Sequence, residues 1–170
     1  MYSCQFAWPG GAHIAVVFNM SWETWEKSLG TPSNNQKAHE RVPPHAKYQR
    51  GMRWIYEHAY GETGGMQRLL DLWRRHNIRT SCYADGHTVS LFPDLAQQVA
   101  AEGHEFLVQG WNHNYFWDMS VDEQIRSLKM TKDAFDALGI KATGFSSPGG
   151  HVTAETFPIC ADLGFDYVCG

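Results

Sequence analysis

From Gly64 onward the chain keeps one rhythm, and that rhythm constrains the fold more than any other feature: short β-rich runs alternate with helix-patterned stretches. Met66, Leu69, Leu70 and Trp73 recur at helical spacing, with Arg74, Arg75 and His76 at the C-terminal end, where basic residues favour the helix dipole. Thr80 to Ala84 reads as a strand. A helix opened by Pro93, carrying Leu95, Val99 and Ala100, stops at Gly103. Glu105 to Gln109 is the next strand. Ser120 and Glu123 form a capping box that starts a helix through Ile125, Leu128, Met130, Phe135 and Leu138 to Gly139. Thr143 to Ser147 is a strand, Thr153 caps a helix ending at Gly164, and Phe165 to Val168 is the last strand. Strand, crossover helix and strand at this pace predict right-handed βαβ units on a parallel sheet.

Before Gly64, Ile14 to Met20 is predicted as the first strand, uninterrupted as a strand buried on both faces would be. A long stretch, Ser21 to Tyr60, follows as a loop or arm, with a short helix near Arg50 to His58. The 170 residues make a single domain, 1–170, with the 21–60 arm inserted after its first strand. Five strands are too few for a closed eight-stranded barrel of about 250 residues. The sheet is therefore open, or another chain covers or completes it.

Fourteen basic and eighteen acidic side chains give a net charge of −4, which argues against a general electrostatic grip on nucleic acid. The longest apolar run, Ile14 to Phe18, is far short of the roughly 20 residues of a membrane span. No basic n-region or long apolar h-region follows Met1, so a cytoplasmic location is expected. Cys4, Cys82, Cys160 and Cys169 form no CxxC pair, and the last three are expected to be small buried hydrophobes. Trp22, Trp25, Trp111, Tyr115, Phe116 and Trp117 either line an apolar cleft or pack loops onto the sheet.

Ligands of parallel α/β folds sit at the carboxyl ends of the strands. Those ends read Asn19-Met20-Ser21-Trp22-Glu23, Ala84-Asp85-Gly86-His87, Gln109-Gly110-Trp111-Asn112-His113-Asn114 and Ser146-Ser147-Pro148-Gly149-Gly150-His151. Carboxylates and imidazoles from different loops thus meet at one rim, where acid–base or metal chemistry is expected.

The ordered segments Gly65-Met66-Gln67-Arg68-Leu69-Leu70, Ile78-Arg79-Thr80, Pro93-Asp94-Leu95, Gly103-His104-Glu105, Gly110-Trp111-Asn112-His113, Gly144-Phe145-Ser146-Ser147-Pro148 and Leu163-Gly164-Phe165-Asp166-Tyr167 resemble the polysaccharide deacetylase superfamily. Within it they are most similar to the branch of allantoinase-like, cyclic imide hydrolase and peptidoglycan deacetylase proteins. The resemblance implies a distorted, incomplete (β/α) barrel and hydrolysis of a C–N bond in a linear or cyclic amide. In metal-dependent members an aspartate after strand one and two histidines after strand three hold a divalent ion such as zinc. Here Asn19 and Ser21 stand where the first-strand aspartates would be, and Gln109 stands for the first histidine. The second histidine survives as His113, Ser146 replaces an arginine, Pro148 matches, and Val168 replaces an aspartate.

An amide and a hydroxyl are weak zinc ligands, so the usual ligand set is not intact and His113 is the one metal-ligand candidate left. The expected site uses His113 as general base, or as metal ligand, with Glu23 as its carboxylate partner. Asn19, Ser21, Gln109, Trp111, Ser146 and Pro148 are the expected substrate-binding residues. His104 is expected to be structural, and His87 and His151 loop residues. Two functions remain open. One is a hydrolase of a small amide. The other is a non-catalytic or half-site subunit of an oligomer, completed by a related chain or a second copy.

Overall fold

The computed structural model describes residues 8–24 and 59–169. Five strands form one sheet in the order β1 (Asn19–Trp22), β2 (Ser81–Ala84), β3 (Glu105–Val108), β4 (Ala142–Ser146) and β5 (Tyr167–Cys169). Every neighbouring pair is parallel. Each crossover steps to the next strand in the same direction, so the right-handed rule puts the crossover helices on one face, as in a barrel wall. Those helices are α1 (Met66–His76), α2 (Gly86–Leu91), α3 (Pro93–Ala101), α4 (Val121–Ala137) and α5 (Thr156–Asp162).

Period-two alternation divides the strands into an apolar face and a polar one. Cys82, Ala84, Phe106, Val108 and Phe145 are buried in a core with Leu70, Trp73, Val99, Leu128 and Phe135 from the helices. The opposite face carries polar residues together with the buried Leu107. There Glu105 accepts hydrogen bonds from Ser81 Oγ (2.8 Å), Thr143 Oγ1 (2.9 Å) and the Tyr167 hydroxyl (2.6 Å). These donors hold the Glu105 carboxyl below its ordinary value against the opposing effect of burial.

Four expectations are corrected. The first strand begins at Asn19 and runs to Trp22, whereas Ile14, Val16, Val17 and Phe18 are exposed rather than buried. Ladder length explains this: β2 starts at Ser81, whose N–H donates to the Phe18 carbonyl, so the chain before Phe18 has no strand beside it in the described sheet. His87, expected in a loop, lies on a helix, α2 (Gly86–Leu91). Helix α5 starts at Thr156, after an N-cap at Glu155, because the Thr153 side chain turns to Thr156 Oγ1 instead of capping. Cys82 and Cys160 are buried but Cys169 is exposed. The helix expected near Arg50 to His58, Trp25 and most of the 21–60 arm lie outside the described residues.

Candidate active site

The register of the first three strands builds the site. Trp22 pairs with Ala84, and Ala84 with Val108. One residue further along, Glu23, Asp85 and Gln109 follow in adjacent positions at the carboxyl rim, and Gln109 N still bonds to the Ala84 carbonyl (3.1 Å). By alternation all three leave the core face, which Trp22, Ala84 and Val108 occupy.

The loop after β3 crosses this rim. Gly110 turns it at φ +112°, a backbone only glycine adopts readily, and a Cβ there would stand 3.1 Å from both the Phe116 ring and Ser127 Oγ. Trp111 N then donates to Ser127 Oγ on α4 (2.8 Å), which anchors the loop. Helix α2 fastens it from the other side, since Gly86 N and His87 N donate to the Gly110 and Trp111 carbonyls, each at 2.9 Å.

So held, His113 is 9% exposed and its Nδ1 lies 3.2 Å from a carboxylate oxygen of Glu23. Burial lowers the basicity of the imidazole, and the Glu23 charge partly restores it. Gln109 is buried, and its side-chain oxygen meets no hydrogen-bond donor among the described residues. Trp111 lies beside His113 in the chain and lines a cavity of about 520 Å³ between the loop and α4, together with Asn112, Tyr115, Arg126 and Met130. His113 and Glu23 are outside that lining.

Other candidates lie elsewhere. Asn19 and Ser21 sit below the rim, level with Ser81 and Tyr83, because β1 runs further along the chain than its apolar run suggested. Ser146 ends β4 at the rim and pairs with Cys169 in the ladder. Pro148 is buried in the following turn. That turn joins the β3 loop through rings: His151 stacks on Trp117 at 3.6 Å and meets Tyr115 edge-on at 5.0 Å. His151 is thus a loop residue that ties two rim loops together. Trp22 and Phe116 pack into the core, on Phe92 and Phe145 respectively. His104 is buried against Trp73, and its Nδ1 accepts the Thr80 N–H at 3.2 Å.

Sequence reasoning overlooked one buried carboxyl. Asp85 is fully buried, and neither of its oxygens meets a hydrogen-bond donor among the described residues. Burial, reinforced by the Glu23 charge, holds it well above the usual carboxylate range. The alternation Ser81, Tyr83, Asp85 was the available signal, since it continues the polar face to the rim.

A family-type metal centre does not fit this donor set. Asn19 stands at the foot of β1, Gln109 offers only an amide, and His113 is the single imidazole of the group. Among the described residues no three His, Cys, Asp or Glu side chains are arranged to hold an ion. The rim therefore offers an imidazole–carboxylate pair suited to moving a proton, beside an amide free to meet a ligand.

Comparison with known proteins agrees with this architecture. Residues 43–168 match the family model described as polysaccharide deacetylase. A peptidoglycan-N-acetylglucosamine deacetylase of Listeria monocytogenes is 30% identical over 88 residues, covering 51% of this chain and 19% of the relative. The chain spans well under half the length of the first curated relatives it matches, from 19% to 38%. PuuE allantoinase superposes with a TM-score of 0.72 at 22% identity, over 95% of this chain and 55% of that one. A pseudoenzyme of the CE4 family from Bacillus anthracis superposes with a TM-score of 0.57 at 20% identity, over 61% and 37%. These superpositions speak for the fold, a parallel α/β wall of the (β/α)-barrel kind. With the model match spanning most of its length, the chain belongs to the polysaccharide deacetylase family of hydrolases.

Proposed function

We propose that this chain hydrolyses a carbon–nitrogen bond in a small linear or cyclic amide, with His113 as general base and Glu23 as its orienting carboxylate. The observation that carries the reading is the 3.2 Å approach of Glu23 to His113 Nδ1 at the strand rim. A carboxylate there favours the tautomer with the proton on Nδ1, which makes Nε2 the basic nitrogen, the one that takes a proton from water attacking the amide carbonyl. Burial keeps the imidazole neutral, as a base must be, and Glu23 limits the loss of basicity. The Gln109 side-chain oxygen, which meets no donor among the described residues, meets a substrate N–H, and Trp111 walls the neighbouring cavity. A small substrate fits better than a glycan chain because both members of the pair are recessed, at 9% and 14% side-chain exposure.

Purified protein assayed against cyclic imides, hydantoins and N-acetyl amides is expected to hydrolyse at least one. His113→Ala should then lower kcat by about 10²–10⁴-fold, the usual contribution of a positioned general base. Full activity in that variant overturns the reading.

A second reading is a half-site subunit whose partner supplies further strands and groups. The exposed apolar run Ile14, Val16, Val17 and Phe18, leading into β1, which pairs only with β2 among the described residues, favours it. An inert chain that gains activity on adding a co-purifying partner supports this second reading against the first.

A further inference from the structure

Asp85 is the anomaly of the rim. It occupies the N-cap position of α2 but makes no side-chain cap. Its carboxyl lies on the polar side of β2, in register between Glu23 at the end of β1 and Gln109 at the end of β3. No part of its side chain reaches solvent, and neither oxygen is compensated among the described residues. Buried carboxyls are ordinarily hydrogen-bonded, paired or neutral. Among the described residues Asp85 is neither bonded nor paired, and the charged group that acts on it is another carboxylate, Glu23. Glu23 in turn faces His113 from the β3 loop. Helix α4 presents uncharged Thr131 to the neighbouring Gly86, and His87 turns towards Trp111.

We propose that Asp85 is a positioning residue of this site: it is the neutral acid of an Asp85–Glu23 pair that carries one negative charge, which leaves Glu23 as the carboxylate facing His113. The inference rests on the Glu23–His113 reading. Two like charges at adjacent rim positions, one of them fully buried, disfavour each other's ionisation, as in paired-carboxylate sites generally. The more deeply buried of the two keeps the proton. A neutral Asp85 leaves the imidazole facing a single charge, so it remains deprotonated near neutrality. The arrangement also works against stability, because folding must keep a proton on Asp85 that the unfolded chain releases.

Three measurements on the full chain test this. The Asp85 carboxyl, followed by carbon NMR, should titrate above the ordinary carboxylate range in the wild type. In Glu23→Gln, which removes the like charge, its midpoint should fall. An ordinary midpoint, or one indifferent to Glu23→Gln, overturns the proposal. Asp85→Asn is neutral at every pH, so its melting temperature relative to wild type should rise from pH 4 to pH 8. A relative fall over that range means that Asp85 is ionised and stabilising, and overturns the proposal. Should Asp85→Asn fail to fold, the Glu23→Gln arm still decides. The His113 ring titration separates the two readings. It should move down in Glu23→Gln and stay within about 0.3 pH in Asp85→Asn, since only a charge that is present can shift it. A His113 midpoint unmoved by Glu23→Gln removes the Glu23–His113 pair instead, whatever Asp85 does.

Discussion

His104 and His113 are both buried imidazoles, yet their surroundings give them different work. His104 spends Nδ1 on the Thr80 N–H and packs its ring on Trp73, so it closes the turn into β2. His113 has a carboxylate at Nδ1 instead, at a rim where ligands of this fold class bind. Burial is the largest influence on each and lowers both from the ordinary value. A base whose folded value is lowered stays neutral in the folded state while the unfolded chain binds a proton, so stability falls as pH drops through the ordinary histidine value of about 6.5. The contribution of these two histidines to the melting temperature is expected to fall between about pH 7 and pH 5, against the opposite contribution of Asp85. His113→Gln should flatten part of that slope, and His104→Gln another part; an unchanged slope in both variants contradicts the account. Replacing His104 with Ala should also cost about 1–3 kcal/mol in urea unfolding, because it strands the buried Thr80 N–H. It should leave activity of the folded fraction intact.

Helix α4 shows how an element becomes legible in a sequence. Ser120 accepts the Glu123 N–H while the Glu123 carboxylate accepts the Ser120 N–H at 2.7 Å, the reciprocal pair implied by their spacing. Ser120→Ala is expected to cost about 1 kcal/mol in urea unfolding with the site unaffected. Helix α2 gave no such signal: six residues, Gly86 to Leu91, are too few to display a period, and its Asp85 N-cap side chain is diverted to the site. It is held instead by packing. A Cβ on Gly86 would lie 2.8 Å from both the Thr131 backbone and the Trp111 ring. Gly86→Ala should therefore destabilise by about 1–3 kcal/mol, the usual range for overpacking. It should also disturb Trp111, read by its fluorescence and by kcat. The first strand was misplaced for the complementary reason. Its apolar run marks residues that want cover, whereas hydrogen-bonded pairing follows where β2 begins. Asn19 and Ser21, expected at the rim, therefore lie below it, while Glu23 and His113, expected from residue type and loop position, come together.

At the scale of the molecule, the described sheet ends in two strands with one neighbour each. Strand β1 has a neighbour on one side, β2, and strand β5 likewise has only β4 among the described residues. Next to the β1 edge, Ile14, Val16 and Val17 are each roughly 70% exposed or more, and Phe18 nearly half. Four such residues within the five-residue run 14–18, without a charge or proline to blunt them, are a surface that soluble proteins ordinarily cover. Charge does not prevent an encounter, since a net −4 spread over 170 residues gives only mild self-repulsion. The strip leads into the amino end of β1, the end of that strand opposite the rim that carries Glu23. Native mass spectrometry of the purified chain is therefore expected to show a second copy or another polypeptide bound. Val17→Lys, which places a charge on the strip and removes no core contact, should weaken that association at least about tenfold, a penalty of about 1.4 kcal/mol. It should leave the melting temperature of the separated chain within a few degrees of wild type. A monomer at micromolar concentration with full activity means that the strip is tolerated bare, and the half-site reading then loses its support, leaving the single chain as the hydrolytic unit.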